Sequence, residues 1–362
     1  MRTPCMRLAY LTFGGLNSEN GPGKKMLSQV RAWMARGHEV MLFAMSRSES
    51  LWVGLTDLPI ETVKGFTKLA RLWRSRALVR KVMEWKPDLV YTRTSMNFPG
   101  LGMLMERVPA ILEINSYDLG ELKSWPFRTQ RLYYLATRAR IPRRARGLVA
   151  VTHEIASKFA DFGKPTLVLG NGIDLSLFPE LRAPSNPTPR LVFLGGPGMP
   201  WHGVDKIMSL AAHFRQWHFD LVGPLRDNLG SATVPENVSL HGLLGRAEYL
   251  QIIAKTDVAL GTLALHRKEM HEACALKVRE YLAYGIPTII GYRDTDFPAP
   301  VSWLLQIPNT PDNVISSFTR IERFVCSAMG KRVPREEIRH LDVVPKEGQR
   351  LAFMDSIRRS RN

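Results

Sequence analysis

Residues 8–44 read LAYLTFGGLNSENGPGKKMLSQVRAWMARGHEVMLFA. Leu8 to Phe13 is a short apolar run, residues 14–23 form a glycine-rich loop, and Lys25 to Arg36 places Met26, Val30, Trp33 and Met34 at helical spacing. Gly37 is suited to stop that helix, and Val40 to Ala44 reads as a strand buried on both faces. Strand, glycine loop, helix, strand is how a parallel sheet covered by helices begins.

The same unit recurs downstream. A basic helix over about 66–85 is followed by Pro87, a strand at Leu89 to Tyr91, a helix near 97–106 and a strand from Ala110 to Ile114. Leu148 to Thr152 and Thr166 to Leu169 read as the last strands of this half. Residues 179–189, PELRAPSNPTP, hold four prolines and neither periodicity, which marks a linker. The alternation then restarts with a strand at Leu191 to Leu194, a glycine loop and a helix from about 203. Strands at 219–223, 238–241, 258–260 and 288–290 follow, the last after a helix over about 272–284. The fold class is therefore α/β, with an N-terminal domain over 1–180, a linker at 181–189, a C-terminal domain over 190–340 and a final helix in 341–362.

At 362 residues, 45% hydrophobic and 23% charged, the chain can bury two ordinary cores and is neither disordered nor collagen-like. Fifty Lys and Arg against 33 Asp and Glu leave +17, which predicts anionic partners: phosphates, acidic lipid or nucleic acid. Cys5, Cys274 and Cys326 are too few for a disulfide framework and suit a reducing cytoplasm. The apolar stretch at 8–13 is too short for a signal-peptide core, and no run reaches the roughly 18 apolar residues of a membrane span. A cytoplasmic protein, soluble or peripheral on the inner face of a membrane, is expected.

Several tempting motifs fail. Residues 21–25, GPGKK, lack both the leading glycine of a P-loop, where Ser18 stands, and the hydroxyl residue after its lysine. Residues 195–200, GGPGMP, miss the dinucleotide fingerprint, because Pro200 and Trp201 occupy the helix start. Each glycine loop still offers free N–H groups to an anion, unless it is only a tight strand-to-helix turn. His266, His271, Glu272 and Cys274 cluster in sequence, yet they lack the second histidine of the zinc-protease spacing, so no metal is expected.

The informative stretch is Glu272 to Glu280, EACALKVRE, continued by YLAYGIP. The two acids would lie about 12 Å apart were the whole stretch helical. If the helix starts only after Glu272, they can touch opposite ends of one extended ligand; otherwise they are two solvated surface acids. Lys277 between them, and a Gly-x-Pro stop leading into an apolar strand, favour the first reading.

This stretch resembles the E-x7-E motif of family 4 retaining glycosyltransferases. Three more segments agree in order: Arg36 to Val40 (RGHEV), Gly170 to Asp174 with Phe178 (NGID…F), and Gly195 to Asp205 (GGPGMPWHGVD). The resemblance, spanning about residues 8–290, implies the GT-B fold, two Rossmann-like domains facing across a cleft, with a C-terminal helix returning to the first. It implies that Glu280 binds the ribose hydroxyls of a nucleotide-diphosphate sugar and that Glu272 meets the transferred sugar. A carboxylate against a vicinal diol accepts two charge-assisted hydrogen bonds, so the division is chemically sound. Lys277 would face the diphosphate, with Gly14, Gly15, Gly196 and Gly198 allowing backbone approach. The family's usual Arg and Lys in the second-domain loop are replaced by Gly196 and His202. Leaving-group stabilisation then falls to Lys277, a helix N-terminus, Arg93 at a first-domain strand end, or His202, either as imidazolium or as a neutral donor. On the acceptor side, where relatives often carry a histidine, Glu113, Asn115 and Asp118 stand instead; helix capping accounts for Asp118 equally well.

Two acid-free segments hold much of the excess charge. Residues 64–81 carry seven Lys and Arg, and residues 123–147 carry eight, interleaved with Trp125, Phe127, Tyr133 and Tyr134. They fit an anionic membrane surface or a solvated helix face. No zinc-finger spacing or RNA-binding sheet motif supports a nucleic-acid partner. The expected activity is sugar transfer from a nucleotide-sugar to a glycan or lipid-linked acceptor in cell-surface polysaccharide or glycolipid synthesis, retaining as the resemblance implies and without cofactor. The competing class is a non-catalytic GT-B scaffold that binds a nucleotide or sugar.

Overall fold

The computed structural model describes residues 5–13, 21–46, 58–64, 68–122, 125, 127–229 and 233–360. It divides into two units, residues 1–172 with 343–362, and residues 173–342.

The first unit is built on seven parallel strands: β1 (Arg7–Thr12), β2 (Glu39–Ser46), β3 (Ile60–Lys64), β4 (Leu89–Arg93), β5 (Ala110–Ile114), β6 (Gly147–Ala150) and β7 (Thr166–Val168). Their order is β3-β2-β1-β4-β5-β6-β7. The helices are α1 (Gly21–Met34), α2 (Lys68–Glu84), α3 (Leu101–Arg107), α4 (Asp118–Leu122), α5 (Arg128–Thr137), α6 (Arg140–Arg144) and α7 (His153–Lys158). Leu8, Ala9, Tyr10 and Leu11 are all inaccessible, as continuous apolar runs in a parallel sheet must be. Gly37 ends the α1 segment with φ +85°, a conformation that costs glycine little.

The second unit holds α8 (Val204–His213), α9 (Arg246–Ala254), α10 (Leu276–Ala283) and α11 (Phe318–Ala328). Its main sheet is again parallel, from β8 (Arg190–Leu194), β9 (His218–Val222), β10 (Val238–Gly242), β11 (Val258–Leu260), β13 (Thr288–Ile290) and β15 (Leu304–Gln306), in the order β10-β9-β8-β11-β13-β15. A separate two-stranded ribbon pairs β12 (Glu272–Ala273) with β14 (Arg293–Asp294). The helix expected over 272–284 thus begins only at Leu276, with Glu272 on a strand before it.

The chain crosses between units at Gly172–Ile173, ahead of the proline-rich 181–189. The reason lies in the packing of the NGID…F segment. Phe178 meets Tyr284 edge-on at 5.0 Å, Arg335 donates to the carbonyls of Leu175 and Phe178, and Arg246 donates to that of Leu177, all within the second unit. Asn186, inside the proline-rich stretch, donates to Asp257 and to the Lys255 carbonyl, so that stretch is also held there.

The last helix, α12 (Val343–Arg359), belongs to the first unit. It buries Leu351, Met354 and Ile357 in the first core, and a Cβ on Gly147 would come within 3.0 Å of Ile357 and Phe353, so β6 needs glycine there. The same helix inserts Arg350, which is wholly buried. Its Nε donates to Glu347 at 2.8 Å and its Nη1 to the Tyr91 hydroxyl, while Trp33 Nε1 donates to Glu347 at 2.7 Å. Tyr10, Trp33 and Tyr91 pack with ring centroids 5.3–5.5 Å apart beside this pair. Removing one partner of a buried ion pair strands the other charge, so Arg350→Ala should cost about 3–5 kcal/mol. Replacing both, as Glu347→Gln with Arg350→Met, should cost clearly less; equal losses in urea titrations of the two variants would contradict this.

Candidate active site

The strand ends of the second unit build the site. After β8 the chain turns through Gly195 and Gly196 into a short 3-10 turn, Pro200 to His202, and Gly203 at φ +72° leads into α8. The turn after β9 lies against this loop: a Cβ on Gly223 would sit 1.7 Å from the Gly195 carbonyl. A Cβ on Gly195 would strike the Phe193 ring and approach His202 Nδ1 to 2.9 Å, whereas Gly196 and Gly198 face open space.

His202 is buried, and its Nδ1 has no hydrogen-bond partner. Burial, and then the neighbouring Lys277 ammonium, push its pKa down to about 2, so the ring is neutral at physiological pH. Lys277 is in the first turn of α10, its ammonium buried without a hydrogen-bond partner and 4.1 Å from the centre of the Phe193 ring. Desolvation with no compensating acid lowers its pKa to about 7. A buried cation without a counter-ion, beside a glycine loop and at a helix N-terminus, is built to take up an anion.

Glu272 and Glu280 flank this cation in sequence. Glu272 is buried on β12, and its carboxylate is ion-paired with Arg293 of β14. Glu280, on α10, is half-buried and accepts a 2.6 Å hydrogen bond from the Tyr249 hydroxyl of α9. Between them Arg279 is wholly buried; its guanidinium forks onto both Asp294 oxygens at 2.7 Å and reaches Asp296 and Cys274. Cys274, Asp294 and Asp296 are close enough together to chelate a metal, but the Arg279 guanidinium occupies their centre. Sequence reading singled out neither Arg279 nor Tyr249; an arginine inside the acidic motif was the one available hint.

In the first unit, Glu113 is wholly buried on β5, ion-paired with Lys25 of α1 and within 3.4 Å of the Tyr10 hydroxyl. Burial opposes its charge, yet Lys25, then Arg350 and Arg93, hold its pKa down to about 2. Burial brings Lys25 down to about 8 against the pull of Glu113. Lys25 also donates to Asn115 at 2.6 Å, and Arg93 lies in register with Glu113 on β4. Glu113, Asn115 and Arg93 thus gather at one end of the sheet, with Glu113 facing Lys25. Asp118 stands apart: Arg138 grips it at 2.8 and 3.0 Å, and Tyr134 donates to it at 2.7 Å, a structural role. Gly14 and Gly15 lie outside the described residues.

Residues 20–177 match the family model Glycosyltransferase Family 4. The chain has the GT-B fold. No curated protein sequence matches it. Among solved structures it is similar to a glycosyltransferase from Rickettsia africae, with TM-score 0.69 at 11% identity, covering 98% of this chain and 99% of that one. It is also similar to Anabaena HepE, solved with UDP and glucose (0.66, 17%, 97% and 100%), and to sucrose-phosphate synthase from Thermosynechococcus elongatus (0.64, 14%, 98% and 97%). At these identities the likeness establishes the two Rossmann-like halves of the GT-B fold.

In the protein without ligand, Lys277 is a cost to stability. Between pH 7 and 10.5 the unfolded chain holds a proton that the folded one has lost, so stability attributable to this group rises with pH. Lys277→Met should raise the melting temperature of the ligand-free protein most at pH 7 and below, the gap closing toward pH 10. A lower melting temperature at pH 7 would contradict the buried, unpartnered state.

Proposed function

We propose that the enzyme moves a sugar, with retention, from a nucleoside-diphosphate sugar to a glycan or lipid-linked acceptor in cell-surface polysaccharide or glycolipid synthesis. The carrying observation is the Lys277 ammonium, buried and without a hydrogen-bond partner at the start of α10 between the two motif acids. In this reading Lys277 and the α10 N-terminus bind the diphosphate, Gly196 and Gly198 leave it room, and neutral His202 offers a hydrogen bond rather than a charge. Glu280 takes the ribose and Glu272 the transferred sugar. Glu113 acts indirectly, by fixing Lys25. Catalysis rests on orientation and leaving-group stabilisation, with no protein nucleophile required. The UDP and glucose bound by HepE support a nucleotide-sugar donor, and likeness to the lipopolysaccharide outer core galactosyltransferase WaaB (TM-score 0.64, 14% identity) supports a surface-glycan acceptor.

A thermal-shift screen against UDP, GDP and ADP and the corresponding monophosphates tests the donor site. One diphosphate at 100 times its dissociation constant should stabilise the protein by roughly 2.7 kcal/mol. Lys277→Met should abolish the preference for diphosphate over monophosphate, Glu280→Ala should weaken nucleotide binding, and Glu272→Ala should lower turnover. A flat screen together with unchanged kinetics in both glutamate variants would end this assignment.

The same reading places a lipid-facing surface on α5. Phe127, Leu132 and Leu135 are each at least half exposed, and Arg128, Arg140, Arg143 and Arg146, also exposed, lie in the same acid-free segment. Exposed apolar side chains in a basic, acid-free segment suit the headgroup region of an anionic bilayer. Trp73 on α2 is also exposed, though residues 65–67 of that basic segment lie outside the described residues. Among the described residues no helix is long and apolar enough to cross a membrane. Cys5, Cys274 and Cys326 form no disulfide, which suits the reducing, cytoplasmic side. The enzyme should co-sediment with phosphatidylglycerol vesicles but not with phosphatidylcholine vesicles, and Leu132→Asp with Leu135→Asp should abolish that binding; retained binding would rule α5 out.

A further inference from the structure

Glu280 does not set its own position. Its Oε1 accepts the 2.6 Å hydrogen bond from Tyr249, which arrives from a different helix, and Tyr249 is buried. Burial and the adjacent Glu280 charge both raise the phenol's pKa, so it stays a donor throughout the working range. α9 is itself fixed. Glu248 accepts from the Gly245 N–H at 2.8 Å at its start, and Arg246 donates to the Leu177 carbonyl at 2.7 Å and lies over the Phe178 ring at 5.1 Å. Phe178 in turn packs on Tyr284, four residues beyond Glu280 on the same chain segment as α10. The phenol therefore comes from a braced helix and meets a carboxylate on another braced helix.

An ionised carboxylate has about four lone-pair sites, so one phenol and two ribose hydroxyls can be accepted together. A glutamate held by one oxygen loses less side-chain freedom when the diol arrives than a free one does. We propose that Tyr249 is a positioning residue that orients Glu280 for the ribose hydroxyls of the donor nucleotide. This rests on the reading of Glu280 given above.

Tyr249→Phe keeps the ring and its packing while removing the hydroxyl; Glu280→Gln tests the underlying assignment. Dissociation constants for UDP, GDP and ADP and their 2′-deoxy forms are measured calorimetrically on the wild type and both variants. The wild type should favour one ribonucleotide over its deoxy form. Tyr249→Phe should weaken that ribonucleotide about five- to tenfold, the deoxy form much less, so that the ratio falls. Equal weakening of both forms would mean a packing role and overturn the proposal. If Glu280→Gln collapses the ratio while Tyr249→Phe preserves it, Tyr249 has no positioning role and the Glu280 assignment stands. If neither variant changes the ratio, or the wild type binds none of the three diphosphates, the ribose assignment falls and the proposal with it.

Discussion

The arrangement of the second unit's site depends on the Arg279 guanidinium. Held by Asp294, Asp296 and Cys274 in a space inaccessible to solvent, it locks α10 to β14. β14 is the strand that β12 pairs with, and β12 carries Glu272, so the first motif acid is placed through the arginine's partner. The second acid is placed by helix geometry. At about 100° per residue, Lys277 and Glu280 share a face, while Arg279 points away from both toward its aspartates. One inward arginine thus turns an eight-residue spacing in sequence into three groups whose positions are set. Its burial also explains why two aspartates and a thiol sit together: with the cation absent, their mutual repulsion would cost several kcal/mol.

Much of this was legible in the sequence because the patterns were local. The alternation of apolar runs and helical stripes marks most strands of both main sheets, β5 at 110–114, β11 at 258–260 and β13 at 288–290 to the residue, but it does not reveal β3 or β15. The sequence does not show the break between Glu272 and α10, since a two-residue strand has no periodicity to detect. Long-range partners stayed hidden. Lys25 looks like the tail of a failed phosphate loop, and nothing near it announces Glu113, 88 positions away. Asp118's long-range partners, Arg138 and Tyr134, are likewise not visible in the sequence. The unit boundary was drawn at the prolines, although the residues that decide it, Phe178, Arg246 and Arg335, act through contacts far apart in sequence.

The two units solve a similar problem in opposite ways. At the strand ends of the first, the cation contributed by the helix after the glycine loop, Lys25, is neutralised by Glu113, and the pair is closed to solvent. At the strand ends of the second, the buried cation beside the glycine loop, Lys277 of α10, has no acid. Burial alone acts on Lys277, while Lys25 feels burial and a carboxylate together. An internally paired cation gains little from an added anion, because it must first give up its partner. An unpaired one gains the whole interaction. On the proposed reading, that asymmetry is why an anion's phosphates are sought in the second unit.

The neutral His202 follows from the same electrostatics. Two cations in one desolvated pocket would repel each other as well as losing water, and Lys277 is itself among the causes that lower the histidine's pKa. The ligand-free loop therefore avoids a second buried charge. On the proposed reading this has a consequence for the reaction. A diphosphate entering beside Lys277 would stabilise the ammonium, so the positive charge facing the leaving group would be assembled by the donor's own arrival. Such a site does not need a permanent Arg and Lys in this loop. It needs a helix N-terminus, a buried amine, a neutral ring that can offer a hydrogen bond, and glycines at 196 and 198 whose missing side chains leave the phosphates room.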